Sequence, residues 1–237
     1  MVPLRNLSAP RRIRWLSNVG LLVIGTVLLR AAFPMAAVGM AAIAEKQQFG
    51  LVHLSPLPPW QAVVLSIIAL DFIVYLNHVL FHALPGLWRI HRVHHADLDF
   101  DVTTGLRFHP FEILLSMGVK VGSILLLGTP VMAVLIFEVL LNATSMFNHG
   151  NIHLPHRVDS RLRHIVVTPS MHRIHHSAIT QETNSNFGFN LPWWDYLFGT
   201  YRAKPSVDAK TMTIGLSEYQ KDWRVAQLPW MLAFPFF

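Results

Sequence analysis

Four long apolar stretches, separated by polar or proline-bearing breaks, set the pattern of the chain up to Asn148. The first runs from Trp15 to Ala44 and carries Arg30 and Pro34. It is longer than the roughly 20 residues one membrane span needs and short for two, so it predicts either one kinked span or a hairpin. A polar connection, Glu45–Pro59, leads to a second stretch from Trp60 to about His82, which the break Ala83-Leu84-Pro85-Gly86 ends. Phe111–Leu127 and Val131–Phe147 follow, divided by Gly128-Thr129-Pro130. Each has 17 residues, the lower limit for a crossing, so two spans or a shallow hairpin both fit. Residues 87–110 and everything after Asn148 are polar enough to lie outside hydrocarbon, with an aromatic end, Trp230–Phe237, able to dock back. The expected fold is all-α: an integral membrane bundle of about four transmembrane helices under a helical cap.

Composition agrees. Of 237 residues, 52% are hydrophobic and 14% charged, against roughly 25% charged in a soluble domain, and the mean hydropathy is +0.40. The formal charge of +6 is dispersed among apolar runs and accompanies no nucleic-acid motif. With the N-terminus inside, 16 of the 19 Lys and Arg fall on one side, which predicts a cytoplasmic N-terminus and cap. The absence of cysteine removes disulfides and thiolate ligands.

Candidate chemistry lies in the histidines. His78 and His82 end the second apolar stretch, and His91, His94 and His95 follow just beyond it. His149 and His153 follow the last stretch, and His172, His175 and His176 come after Thr168-Pro169, an expected helix start. Spacings of three and four put imidazoles on one helix face. Any one histidine is more readily a core or surface residue, but ten in four clusters on one predicted face point to metal. One ion rarely takes more than six ligands, so ten suggest two ions, and imidazole suits iron, zinc, copper or nickel. Ring-orienting partners are expected from Asp71 and Tyr75, on the face of His78 and His82, and from Asn142, seven residues before His149. An Asp inside an apolar span is a functional candidate by default. His109 fits an orienting or a structural part equally; His53, His156 and His164 read as unrelated to the centre. Asp97, Asp99 and Asp101 read as a solvated loop, Glu112 as a helix N-terminal charge, and Lys120 as a side chain that snorkels or lines a cavity.

The motifs HVLFH, HRVHH, NHGNIH and MHRIHH, with NFGFNLPWWDYLFGTY (Asn186–Tyr201), resemble the fatty acid hydroxylase superfamily, in its compact bacterial sterol desaturase-type members. The resemblance covers about residues 60–201, a membrane-embedded catalytic domain, between an N-terminal anchor and connection (1–59) and a C-terminal tail (202–237). It implies a di-iron centre using O2 against a C–H bond of a membrane lipid, with His78, His82, His91, His94, His95, His149, His153, His172, His175 and His176 as ligands. It also implies a bacterial inner-membrane enzyme with its site on the cytoplasmic side. No dinucleotide or flavin motif is present, so electrons are expected from a separate protein. A zinc-dependent, non-redox lipid enzyme on the same histidines is the alternative, followed by a non-enzymatic metal-binding membrane protein. The ligand motifs distinguish neither hydroxylation from desaturation nor one lipid from another, and leave the oligomeric state open.

Overall fold

Prolines start most of the helices, at or just before the first turn, where the missing N–H would have had no partner. The computed structural model describes residues 3–7, 9–54 and 56–237. The long helices are α1 (Arg11–Ala32), α2 (Ala36–Lys46), α3 (Pro59–Ala83), α4 (Pro85–His95), α5 (Pro110–Leu127) and α6 (Val131–Asn148). Shorter ones follow: α7 (His156–Leu162), α8 (Pro169–His175), α9 (Thr180–Thr183), α10 (Trp193–Phe198) and α11 (Leu228–Ala233). Among the described residues there is no strand, only an isolated bridge between Ser177 and Ile214.

Four segments are long and apolar enough to cross a membrane: Arg11–Leu54, Pro59–Ala83, Pro110–Leu127 and Val131–Asn148. The first is a single crossing with a break. α1 ends at Ala32, Phe33 to Met35 form the kink around Pro34, and α2 continues. Gly25 of α1 packs on Ile113 in the first turn of α5, whereas Gly50, beyond α2, packs on Gly128 at the other end of α5. At that far end Glu45 accepts from the Val131 amide at the start of α6. The close approach there needs glycine on both sides, since a Cβ on Gly50 would lie 2.2 Å from the Gly128 nitrogen. The bundle core joins Leu70, Met117, Ile124, Val134 and Phe137 to Ala37 and Ala41 of α2, whose small side chains let the short helix sit close.

The cap has its own core, formed by Leu21, Val93, Ala96, Leu216, Val225, Met231 and Phe234. The aromatic C-terminus docks there, with the Arg92 guanidinium 4.3 Å from the Phe234 ring centre. The Asp97–Asp101 segment is not a solvated loop. Asp97 and Asp99 are buried, and Arg14, itself buried, forks onto Asp97 (2.6 and 2.8 Å) and donates to Asp101 and Thr104. Burial alone would raise the Asp97 carboxyl, but Arg14 and then Arg107 hold it below the usual carboxylate range. Arg107, also buried, donates to the carbonyls of Val93 and Val225. The first helix, the loop after α4 and the C-terminal tail are thereby tied together beside the histidines.

Candidate metal centre

Nine of the expected histidines converge in two adjoining groups. His78, His82, His91, His95 and His175 form one, and His94, His149, His172 and His176 the other; within each, the donor atoms all lie within 4.8 Å of one another. The helical period explains the division. His78 and His82 lie one turn apart on α3, as do His91 and His95 on α4. His94 sits off that face of α4 and turns to His149, their Nε2 atoms 3.3 Å apart. On α8 the split is reversed: His172 and His176 serve the second group and His175 the first. Thr168 occupies the N-cap position of α8, although its hydroxyl pairs with Ser170 rather than with the helix backbone.

Five rings are fixed by an oxygen at Nδ1, which leaves Nε2 as the ligand atom. His78 donates to the Phe187 carbonyl (2.8 Å), His175 to the Ser185 carbonyl (2.8 Å) and His149 to the Ser145 carbonyl (2.8 Å). His82 donates to Asn184 Oδ1 (3.2 Å) and His91 to Glu112 Oε1 (2.7 Å). Three of these acceptors come from the segment 184–187, which is itself anchored. Asp195 accepts from the amides of Phe187 and Gly188, both at 2.8 Å. A Cβ on Gly188 would stand 2.7 Å from that carboxylate, so only glycine lets the loop close on it.

The donors fit transition-metal ions. Buried imidazole nitrogens at His82 Nε2, His175 Nε2 and both nitrogens of His176 have no hydrogen-bond partner, a costly arrangement unless something else accepts their lone pairs. The Nε2 atoms of His149 and His172, 3.0 Å apart, face each other in the same way. Burial, and after it the neighbouring imidazoles, hold His94, His95, His172, His175 and His176 well below the ordinary histidine range. Burial also brings His149 down to about 4. At neutral pH these rings are uncharged, the form that binds metal.

The remaining expected residues sit elsewhere. His153 is exposed and joins neither group. α6 ends at Asn148, and His149 is its C-cap, so the spacing of four between His149 and His153 no longer spans a helical turn. Asp71 accepts from the Asn190 and Leu191 amides and from Trp194 Nε1 (2.8 Å), anchoring the chain just after the acceptor loop rather than a ring. Tyr75 pairs with Thr200 at 3.1 Å, and its ring stacks near Phe198. His109 caps α5 by accepting from the Phe111 amide, and Asn142 donates to the Glu138 carbonyl within α6. These four are structural in their contacts. Glu112 is the partner that sequence spacing missed: it is buried against His91, 21 residues away, and its acidic side chain in an apolar segment was the only signal. Replacing it, Glu112→Gln, is expected to lower metal affinity by about 10- to 100-fold, measured by chelator competition on the purified protein.

The class these features define is a bundle of membrane-length helices carrying two adjoining all-histidine groups, each able to hold a metal ion. The comparisons narrow the class. A family model described as fatty acid hydroxylase matches residues 63–200. The chain is 32% identical over 191 residues to the ornithine lipid hydroxylase OlsE of Rhizobium tropici, covering 78% of this chain and 56% of that protein. It is 27% identical over 144 residues to human alkylglycerol monooxygenase, covering 59% of this chain and 30% of the relative. The Xenopus tropicalis enzyme of the same name is 28% identical over 142 residues, with 58% and 30% covered. The chain thus spans about half or less of the length of these relatives. No solved structure matches it. The chain belongs to the fatty acid hydroxylase family.

Proposed function

We propose that this protein is an O2-dependent di-iron enzyme that hydroxylates or desaturates a C–H bond of a membrane lipid. One observation carries the reading. A cavity of about 300 Å³, lined mainly by apolar side chains of α3, α5 and α6 such as Leu70, Ile73, Val74 and Met117, ends on His78, His91, His94 and His172. Histidines of both groups therefore face a space suited to an acyl or isoprenoid chain. The similar lipid hydroxylase and monooxygenases support the same reaction class.

In this reading His78, His82, His91, His95 and His175 hold one iron and His94, His149, His172 and His176 the other. When bound, the irons supply O2 activation and the oxidising power for an unactivated C–H bond. The chain's own residues do the rest. The apolar walls exclude water and present one carbon, which matters because a strong oxidant attacks whatever lies nearest. The Glu112 carboxylate and the carbonyls of Ser145, Ser185 and Phe187 hold the rings in one tautomer. Electrons come from a separate protein, and the basic-residue asymmetry supports placing the centre at the cytoplasmic face of a bacterial inner membrane.

The expected result for purified protein is about two irons per chain by metal analysis, with a di-iron Mössbauer signature. Lipid profiles of cells with and without the gene should differ in a species altered by one oxygen or two hydrogens. Turnover under strictly anaerobic conditions would overturn the reading in favour of a non-redox enzyme.

A further inference from the structure

The cavity is not uniformly apolar. Midway along the bundle Lys120 of α5 and Glu138 of α6 form an ion pair at 2.7 Å, and both side chains line the cavity. α5 and α6 pack on α3 and on α2 but touch each other little, so the pair bridges the opening between them. Asn77, Ser116 and Asn142 line the same space, with Asn77 donating to Ser116 at 3.0 Å. Charged side chains at this depth in a membrane-type bundle are expensive and mark a substrate path by default. Lys120 lies eight residues, about 12 Å along α5, beyond Glu112, the residue that holds the His91 ring.

We propose that the Lys120–Glu138 pair is the recognition point of the substrate cavity. It selects a lipid carrying an uncharged group that both donates and accepts a hydrogen bond, an amide or an alcohol. This deepens the lipid-oxidation reading above and rests on it. The pair is neutral as a unit, so a guest of net charge would leave one partner uncompensated in low dielectric. A plain hydrocarbon gives the pair nothing to bind. An amide satisfies both partners at once, its N–H donating to the Glu138 carboxylate and its carbonyl accepting from the Lys120 ammonium. An alcohol does the same through one oxygen, whereas an ester accepts but cannot donate.

The test uses the iron-loaded chain in detergent micelles, with native mass spectrometry reporting metal content and lipid binding together, and turnover read in air with a supplied reduced electron-carrier protein as the source of the two electrons each oxidation consumes. The probes are a long-chain acyl amide, a long-chain alcohol, and an ester and an alkane of matching length. The amide and the alcohol are expected to bind at least about tenfold more tightly than the ester and the alkane, the usual worth of one well-made hydrogen bond. Lys120→Met/Glu138→Met should erase that preference and raise KM for the amide to the ester's value, with metal content unchanged. A charge swap, Lys120→Glu/Glu138→Lys, rebuilds the pair and should recover part of the preference. Equal binding of amide and ester by the unaltered protein would overturn the proposal without any variant, as would an undiminished preference in the double variant. If the protein selects the amide but oxidises none of the probes, the oxidation reading fails. If it oxidises all probes alike, only the recognition proposal fails.

Discussion

Replacing His94 with alanine is expected to leave at most about one metal ion per chain and to cut turnover by at least about 100-fold. His94 belongs to the smaller group, so its loss leaves only His149, His172 and His176 there. Its ring also lies 4.5 Å from that of Phe108, and alanine would open a void beside the cavity wall. His153→Ala is the matched control, because His153 is exposed and outside both groups. It should keep its metal and its rate. Metal analysis and lipid turnover on both variants check this; equal losses in the two would sink the ligand assignment.

Arg14→Met is expected to destabilise the protein by about 3–5 kcal/mol. The methionine would keep most of the packing but leave Asp97 buried, with Arg107 as its remaining cationic neighbour. Asp101 and Thr104 would each lose a hydrogen bond from the guanidinium in the same step, keeping those from Trp15 and Thr103 to Asp101 and from the Asp101 amide to Thr104. For a chain of this size the shift in Tm is roughly 10 °C, readable by thermal unfolding in detergent. A shift within 2 °C of zero, under about 1 kcal/mol on the same scale, would mean that the pair is solvated.

The fold was largely legible because its signals are local. Apolar stretches of spanning length and prolines at helix starts give the four crossings, and the motifs that resembled the fatty acid hydroxylase superfamily led to the right family. Histidine spacing was legible for the same reason wherever a helix carried it: at α3, α4 and α8. It misled at His153, where helix α6 had already ended. Long-range partners were hidden. The rings of His78 and His175 are set by backbone carbonyls of Phe187 and Ser185, groups that every residue possesses and no pattern advertises. Asp71 shares a helix face with His78, yet its partners lie about 120 residues later at Asn190 and Leu191. Nothing local links Arg14 to Asp97, 83 residues away. The kink at Phe33–Met35 was marked by Pro34, but whether the chain turned back there depended on tertiary contacts with α5 and α6.

α4 and α8 each hand histidines to both groups: two, one turn apart, to one group and a third to the other. Such helices act as yokes. The separation of the two groups follows from the pitch of rigid backbone, and any tilt of α4 or α8 would shift donor atoms of both groups together.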